Sequence, residues 1–86
     1  AGLSNVNLAG ADFSRIDFKA ADFKNTKLAG ADLSEANLSG ADLSHANLFG
    51  ADLWKADMKF ANLRHANLKS AQLVKANLEN AELVMK

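Results

Sequence analysis

The chain repeats every five residues, without interruption, from Ala1 to Met85. Read in blocks from Ala1, it gives 17 blocks and one trailing residue, Lys86. Alanine opens 14 of the blocks; Val6, Ile16 and Thr26 are the exceptions. Asp or Asn stands second in 13, the exceptions being Gly2, Lys27, Gln72 and Glu82. The third place is always large and apolar: 13 Leu, three Phe (Phe13, Phe18, Phe23) and Met58. The fourth and fifth places are mixed and mostly small, polar or charged. So short a period constrains the fold strongly, because one block cannot bury its own apolar residue and must stack against others.

Helix fails on geometry although Ala and Leu are good helix formers. Five residues advance about 140° around a helix of 3.6 residues per turn. Successive leucines would scatter around the circumference, leaving no single apolar face. A strand does better within one block, where the first and third residues share a side and the second faces away. Five is odd, however, so a flat strand would put the next leucine on the wrong face. The chain must therefore turn once per block. Asp, Asn, Ser and Gly suit such turns. Proline, which would remove an N–H needed between coils, is absent.

The Ala-[Asp/Asn]-Leu-x-x pattern, carried through all 17 blocks, resembles the pentapeptide-repeat proteins. That resemblance implies an all-β fold: a right-handed quadrilateral β-helix with one block per side and 20 residues per coil. The chain then holds about four coils plus one extra side. At about 4.8 Å per coil the stack is roughly 20 Å long. Residues 20 apart stack, so Leu3, Phe23, Leu43, Leu63 and Leu83 form one interior ladder. The chain starts in repeat at Ala1-Gly2-Leu3 with no initiator Met. The expectation is a single repeat domain over 1–86, cut from a longer protein.

Composition narrows the functional classes. Ten Lys+Arg balance ten Asp+Glu, giving zero formal charge. Nucleic-acid binding usually calls for a basic excess, so no nucleic-acid partner is expected. No apolar run reaches the 18 or so residues of a membrane span, so no membrane insertion is expected of this segment. Cysteine is absent, which removes thiolate chemistry and disulfides. There is no Gly-rich phosphate loop, and no insertion interrupts the repeat to shape a pocket. Neither a catalytic group nor a cofactor is expected. His45 and His65, 20 apart, stack in one column, but no carboxylate or third His shares it. A solvated ladder suits them better than a metal site. The basic residues Lys55, Lys59, Arg64, Lys69 and Lys75 gather in the later half and read as a solvated face.

Two sets of residues point to contact with another molecule. Phe49, Trp54 and Phe60 occupy outward fourth or fifth places on three successive sides of the third coil, and Val74 continues the Trp54 column. Apolar side chains clustered on a surface often mark an interface. The second set lies at the C-terminal end: Leu68, Leu73, Leu78, Leu83, Val84 and Met85. Solenoid ends normally need caps, and no polar cap is visible there. An uncapped edge is a template for another chain, and the expectation is a homodimer formed end to end about a two-fold axis. The fourth-place serines, Ser34 and Ser44 among them, are expected to point outward.

The leading reading is a non-catalytic structural or protein-interaction module with an unidentified protein partner. The resemblance implies bacterial, and especially cyanobacterial, relatives. It also implies an alternative, a DNA-mimicking binder of DNA gyrase. Zero net charge and the lack of a projecting loop count against that alternative, since a mimic needs a continuous acidic face.

Overall fold

The computed structural model describes residues 2–84, which contain no helix. Isolated parallel bridges join each second-place residue to the one 20 positions on, from Gly2↔Asp22 to Asn62↔Glu82. Four blocks therefore complete one coil. Met85, named above as part of the C-terminal end, lies outside the described residues.

Every block turns in the same way. The third-place carbonyl accepts from the first-place N–H of the next block, as between Leu28 and Ala31 at 3.0 Å. The fifth-place residue between them has positive φ, from 56° at Lys55 to 64° at Asn5 among the non-glycines. A positive φ at the second central residue is the signature of a type II turn. Four such turns close the coil, so each bends the chain by about 90° on average. Gly30, at φ +68°, meets this demand without a side chain; Phe60 and Lys75 adopt the same conformation despite theirs.

The second-place residue braces the turn. Each Asp or Asn there accepts the fourth-place N–H at its Oδ1, as Asp52 does from Trp54 at 3.0 Å and Asn77 from Glu79 at 3.0 Å. This is the local side-chain bond that makes Asp and Asn favour turns. Gln72, one methylene longer, makes no such bond. Where serine stands fourth, its hydroxyl joins in: Ser34 Oγ donates to Asp32 Oδ1 at 2.7 Å, and Ser44 Oγ to Asp42 Oδ1 at 2.7 Å. The outward placement expected for Ser44 needs correcting. It is buried, although Ser34, with the same bond to its second-place carboxylate, is only half-buried.

Three backbone bonds tie each block to the one stacked on it. Leu33 N–H donates to Asp52 C=O at 2.8 Å, Glu35 N–H to Trp54 C=O at 2.7 Å, and Asp52 N–H to Ala31 C=O at 2.9 Å. The pattern has a direction. The earlier coil donates from its third and fifth places and accepts at its first. The later coil does the reverse.

Side chains of the first and third places fill the interior. Leu33, Leu43, Leu53 and Leu63 are fully buried, as are Ala31, Ala41, Ala51 and Ala61 between them. Burying each such leucine stabilises by about 1.5–3 kcal/mol. The N-terminal coils are filled with larger groups. Phe18 meets Phe13 edge to face at 5.2 Å and Phe23 at 4.9 Å, a favourable aromatic geometry. Thr26 is the polar exception inside; its hydroxyl donates to Leu3 C=O at 2.7 Å. The stack measures 26 × 26 × 24 Å, about as wide as it is tall.

Candidate functional site

The outer surface is built from the turns, because the second-place side chains are engaged in bracing and the first and third places face inward. Fourth- and fifth-place residues sit at the corners of the coil. Long side chains there have nowhere to go but out. Phe49, Trp54, Phe60 and Val74 are 45%, 38%, 65% and 63% exposed.

The three aromatic side chains stand on separate corners, as their three successive sides require. Phe49, Trp54 and Phe60 belong to three consecutive turns, so their directions diverge by about 90° at each step. Phe49 and Phe60 thus lie on opposite corners. No aromatic contact joins any two of the three among the described residues. Trp54 and Val74 do share a corner, where Lys55 N–H donates to Val74 C=O at 3.0 Å. The Lys55 ammonium lies 4.7 Å from the Trp54 ring centroid, a cation–π contact that holds the indole against the surface. The coherent apolar element is therefore the Trp54–Val74 column, with Phe49 and Phe60 flanking it on neighbouring corners.

His45 and His65 stack as the 20-residue spacing requires. Their ring centroids lie 4.9 Å apart at an interplanar angle of 26°. Stacked rings present their faces to one another rather than aiming lone pairs at a common point. The Nδ1 atom of His65 is buried without a hydrogen-bond partner. Among the described residues no group of three His, Cys, Asp or Glu side chains could hold a metal ion.

Charge is dispersed over the surface. The column Asp12, Asp32, Asp52 is an acidic stripe of paired second-place residues. Beside it the fifth-place column runs Arg15, Glu35, Lys55, Lys75. Bonds from the Ser34 hydroxyl and backbone N–H hold the Asp32 carboxyl below its ordinary value, with a smaller contribution from Arg15. Among the described residues two exposed ion pairs occur, Lys59–Asp57 at 3.8 Å and Arg64–Glu82 at 3.6 Å; pairs of this kind contribute little to stability. No helix among the described residues is long and apolar enough to cross a membrane.

The C-terminal end carries Leu68, Leu73 and Leu78 half-buried at the mouth of the interior. Leu83 and Val84 follow, 48% and 45% exposed. The N-terminal mouth is lined by half-buried Leu3, Leu8, Phe13 and Phe18, with Val6 and Ile16 exposed beside them.

Comparison with known proteins agrees with this architecture. The family described as pentapeptide repeats (8 copies) matches residues 1–40, 16–54 and 41–80. Among solved structures, the pentapeptide-repeat protein Rfr23 from the cyanobacterium Cyanothece 51142 superposes with a TM-score of 0.94 at 39% identity, over 99% of this chain and 56% of that one. HetL, a pentapeptide-repeat protein involved in heterocyst differentiation regulation in the cyanobacterium Nostoc sp. strain PCC 7120, gives a TM-score of 0.94 at 44% identity, over 95% of this chain and 38% of its own. The protein alr5209 from Nostoc PCC 7120 gives 0.86 at 40% identity, over 87% and 62%. The chain thus spans only part of the length of each of these relatives. No curated protein sequence matches it. The fold is the right-handed quadrilateral β-helix of these relatives, and the chain belongs to the pentapeptide-repeat family.

Proposed function

We propose that this chain is a non-catalytic protein-interaction module, a stiff four-sided column that displays corner side chains at fixed spacing. The observation that carries the reading is the way the repeat uses its residues. First and third places fill the interior, and Asp or Asn at the second place braces a turn. What remains for other molecules is the set of fourth- and fifth-place side chains, held in columns by the ladder beneath them. The Trp54–Val74 column, with Lys55 laid over the indole, is the surface we assign to a protein partner. Aromatic residues of this kind are enriched among the anchors of protein interfaces. The chain is one repeat domain of a longer protein, in keeping with its partial coverage of longer relatives.

A gyrase-directed DNA mimic fits less well. The acidic stripe is flanked by Arg15, Lys55 and Lys75, and ten basic residues balance ten acidic ones over the whole chain. The chain is expected to leave gyrase supercoiling unchanged at micromolar concentration.

The test compares the parent chain with a Trp54→Ala, Val74→Ala double variant as immobilised baits. A defined protein retained by the parent and lost by the variant supports the reading. Identical retention by both would move the interface elsewhere, and turnover in a broad hydrolase screen would remove the word non-catalytic.

A further inference from the structure

Charge is spread along the height of the column but shared unequally among its four sides. The side that runs through Asn7, Lys27, Asn47 and Asn67, with the corners that bound it, comprises residues 4–10, 24–30, 44–50 and 64–70. None of the ten acidic residues falls there, whereas Lys24, Lys27, Arg64 and Lys69 do, with both histidines. Arg64 reaches Glu82 on the neighbouring side, at 3.6 Å. Lys24, Lys27 and Lys69 have no ion-pair partner among the described residues. We infer that this side binds a carboxylate-rich segment of a partner protein. The inference rests on the interaction-module reading but uses a surface that shares no corner with Trp54 and Val74.

The five-residue code explains what this side offers. A second-place Asp that accepts the fourth-place N–H at Oδ1 keeps its other carboxylate oxygen for the outside. A second-place Asn in the same pose keeps its NH2 group, which only donates. Asn7, Asn47 and Asn67 accept from Ala9, Phe49 and Lys69 at 3.2, 3.0 and 3.0 Å. The backbone thus fixes which end of each amide faces out. Asn67 turns one donor to Asn47 Oδ1 at 3.4 Å. The NH2 groups of Asn7 and Asn47 have no partner among the described residues. Lys27 stands between these two in the bridged column, and its ammonium also only donates. The column is a ladder of donors at one coil spacing, about 4.8 Å.

Two further observations single out this side. Lys27 departs from the code at a cost to its own turn. It cannot accept the fourth-place N–H, and Ala29 N–H has no partner among the described residues. A second-place Asn would close that bond; the lysine forgoes it and sets a cation in the centre of the side. Exposure agrees. In the middle coils the second-place residues of the other sides are half-buried, as at Asp32, Asn37, Asp42 and Asp57, whereas Lys27 and Asn47 are exposed. With the column 26 × 26 × 24 Å in extent, one side has an area of the order that each partner buries in a standard interface.

A nucleic-acid strand fits less well. Phosphate backbones are held chiefly by rows of Lys and Arg. Here the lysines alternate with neutral amides, and Asp22 and Asp42 line one adjoining side, Asp12, Asp32 and Asp52 the other. Single carboxylates accept from ammonium groups and from amides alike.

The experiment titrates the isotope-labelled chain with a peptide of alternating Glu and Ser at low salt. The comparison ligands are the Gln-Ser peptide and an oligothymidylate of equal charge. Saturable shifts of the Asn7 and Asn47 side-chain NH2 signals are expected with the acidic peptide and not with Gln-Ser. Lys27→Asn restores the turn brace, so its thermal stability should not fall. It should nevertheless weaken acidic-peptide binding about fivefold, the upper range for one exposed charge pair. Lys75→Asn removes the same charge from another side and should leave the affinity within about twofold. Equal weakening by the two variants, shifts centred on another side, tighter binding of the oligothymidylate, or no saturable shift would each overturn the inference. The Trp54→Ala, Val74→Ala variant should bind the acidic peptide as the parent does, so the two surfaces fail separately.

Discussion

The second and third coils and the two end coils are written in the same five-residue code, yet they live in different environments. Leu33, Leu43 and Leu53 are fully buried, whereas Leu3, Leu8, Leu68, Leu73 and Leu78 are only half covered. Burial here comes from having a coil on both sides, and the residue type does not set it. The two ends respond differently to the missing neighbour. The N-terminal coil carries Phe13, Phe18, Val6 and Ile16, large groups that fill its mouth, with Phe18 in edge-to-face contact with both other phenylalanines. The C-terminal coil keeps Ala71, Ala76 and Ala81 with plain leucines. Its turns differ as well. Every glycine in a left-handed turn, Gly10, Gly30, Gly40 and Gly50, lies in the first 50 residues. After Gly50 the same conformation is forced on Lys55, Phe60, His65, Ser70, Lys75 and Asn80. The turns of the later part are thus the more strained, and it is there that opening should begin.

Truncating the same residue type in the middle and at an end should give the largest difference. Leu43→Ala should destabilise by about 2–5 kcal/mol, the range for a fully buried leucine. Leu78→Ala should cost roughly half as much or less, because part of its surface is already in water. Urea unfolding followed by circular dichroism measures both. Equal losses would mean that the ends are as well covered as the middle. Thr26 sharpens the contrast at the other end, where it ties the second coil to the open first coil through Leu3. Thr26→Val should cost about 1 kcal/mol, the typical net worth of one hydrogen bond. A neutral result would show that the first coil is already frayed from the second.

Much of the fold was open to a reader of the sequence, for identifiable reasons. The odd period demanded a turn per block, and the invariant apolar third place told which side of each block faces inward. The four-sided coil came from the family resemblance, and bridges at a spacing of 20 bear it out. The turn conformation was harder to see. A glycine at Gly30 hints at positive φ, but nothing in Phe60 or Lys75 does, since those residues seldom adopt it and are held there by the ladder above and below. The apolar surface was legible only in part. Sequence spacing put Trp54 over Val74 and set Phe49, Trp54 and Phe60 on three successive sides, but it did not show Lys55 lying over the indole. The burial of Ser44 was not legible, because Ser34 stands at the same place of its block with the same bond to its second-place carboxylate and is only half-buried.

Strain in the later turns should be relievable. Lys75→Asn places a residue that tolerates the left-handed region better and leaves the interior untouched. It should stabilise by about 0.5 kcal/mol, within the penalty for holding an ordinary residue there. The reciprocal change, Gly30→Ala, meets open space, with no heavy atom within 4 Å of the added carbon. Its cost, about 1 kcal/mol, is therefore purely one of backbone conformation. Thermal unfolding of the two variants side by side tests the contrast. Stabilisation by Gly30→Ala would show that the turns of the middle coils are not strained in the way their φ values indicate.

The smallest expected effect concerns Asp32 and is the most local. Its carboxylate accepts both the hydroxyl and the backbone N–H of Ser34, at 2.7 and 3.0 Å. These bonds favour the ionised form, and they outweigh the opposing effect of partial desolvation. The carboxyl is therefore held below its ordinary value of 3.8 in the folded chain. A lowered folded value means that the unfolded chain binds protons more readily than the folded one in that range. The resulting stabilisation is complete above the ordinary value and is lost as the pH falls through the lower, folded one. Ser34→Ala removes the hydroxyl bond and keeps the backbone bond. The Asp32 titration, followed by carboxyl NMR, should move up toward the ordinary value without reaching it. Because the carboxyl group is solvent-exposed, the change in overall stability at neutral pH should be close to the limit of detection. An unchanged titration would mean that the backbone N–H alone sets the carboxylate, and that the serine in the fourth place serves only to lie flat over its turn.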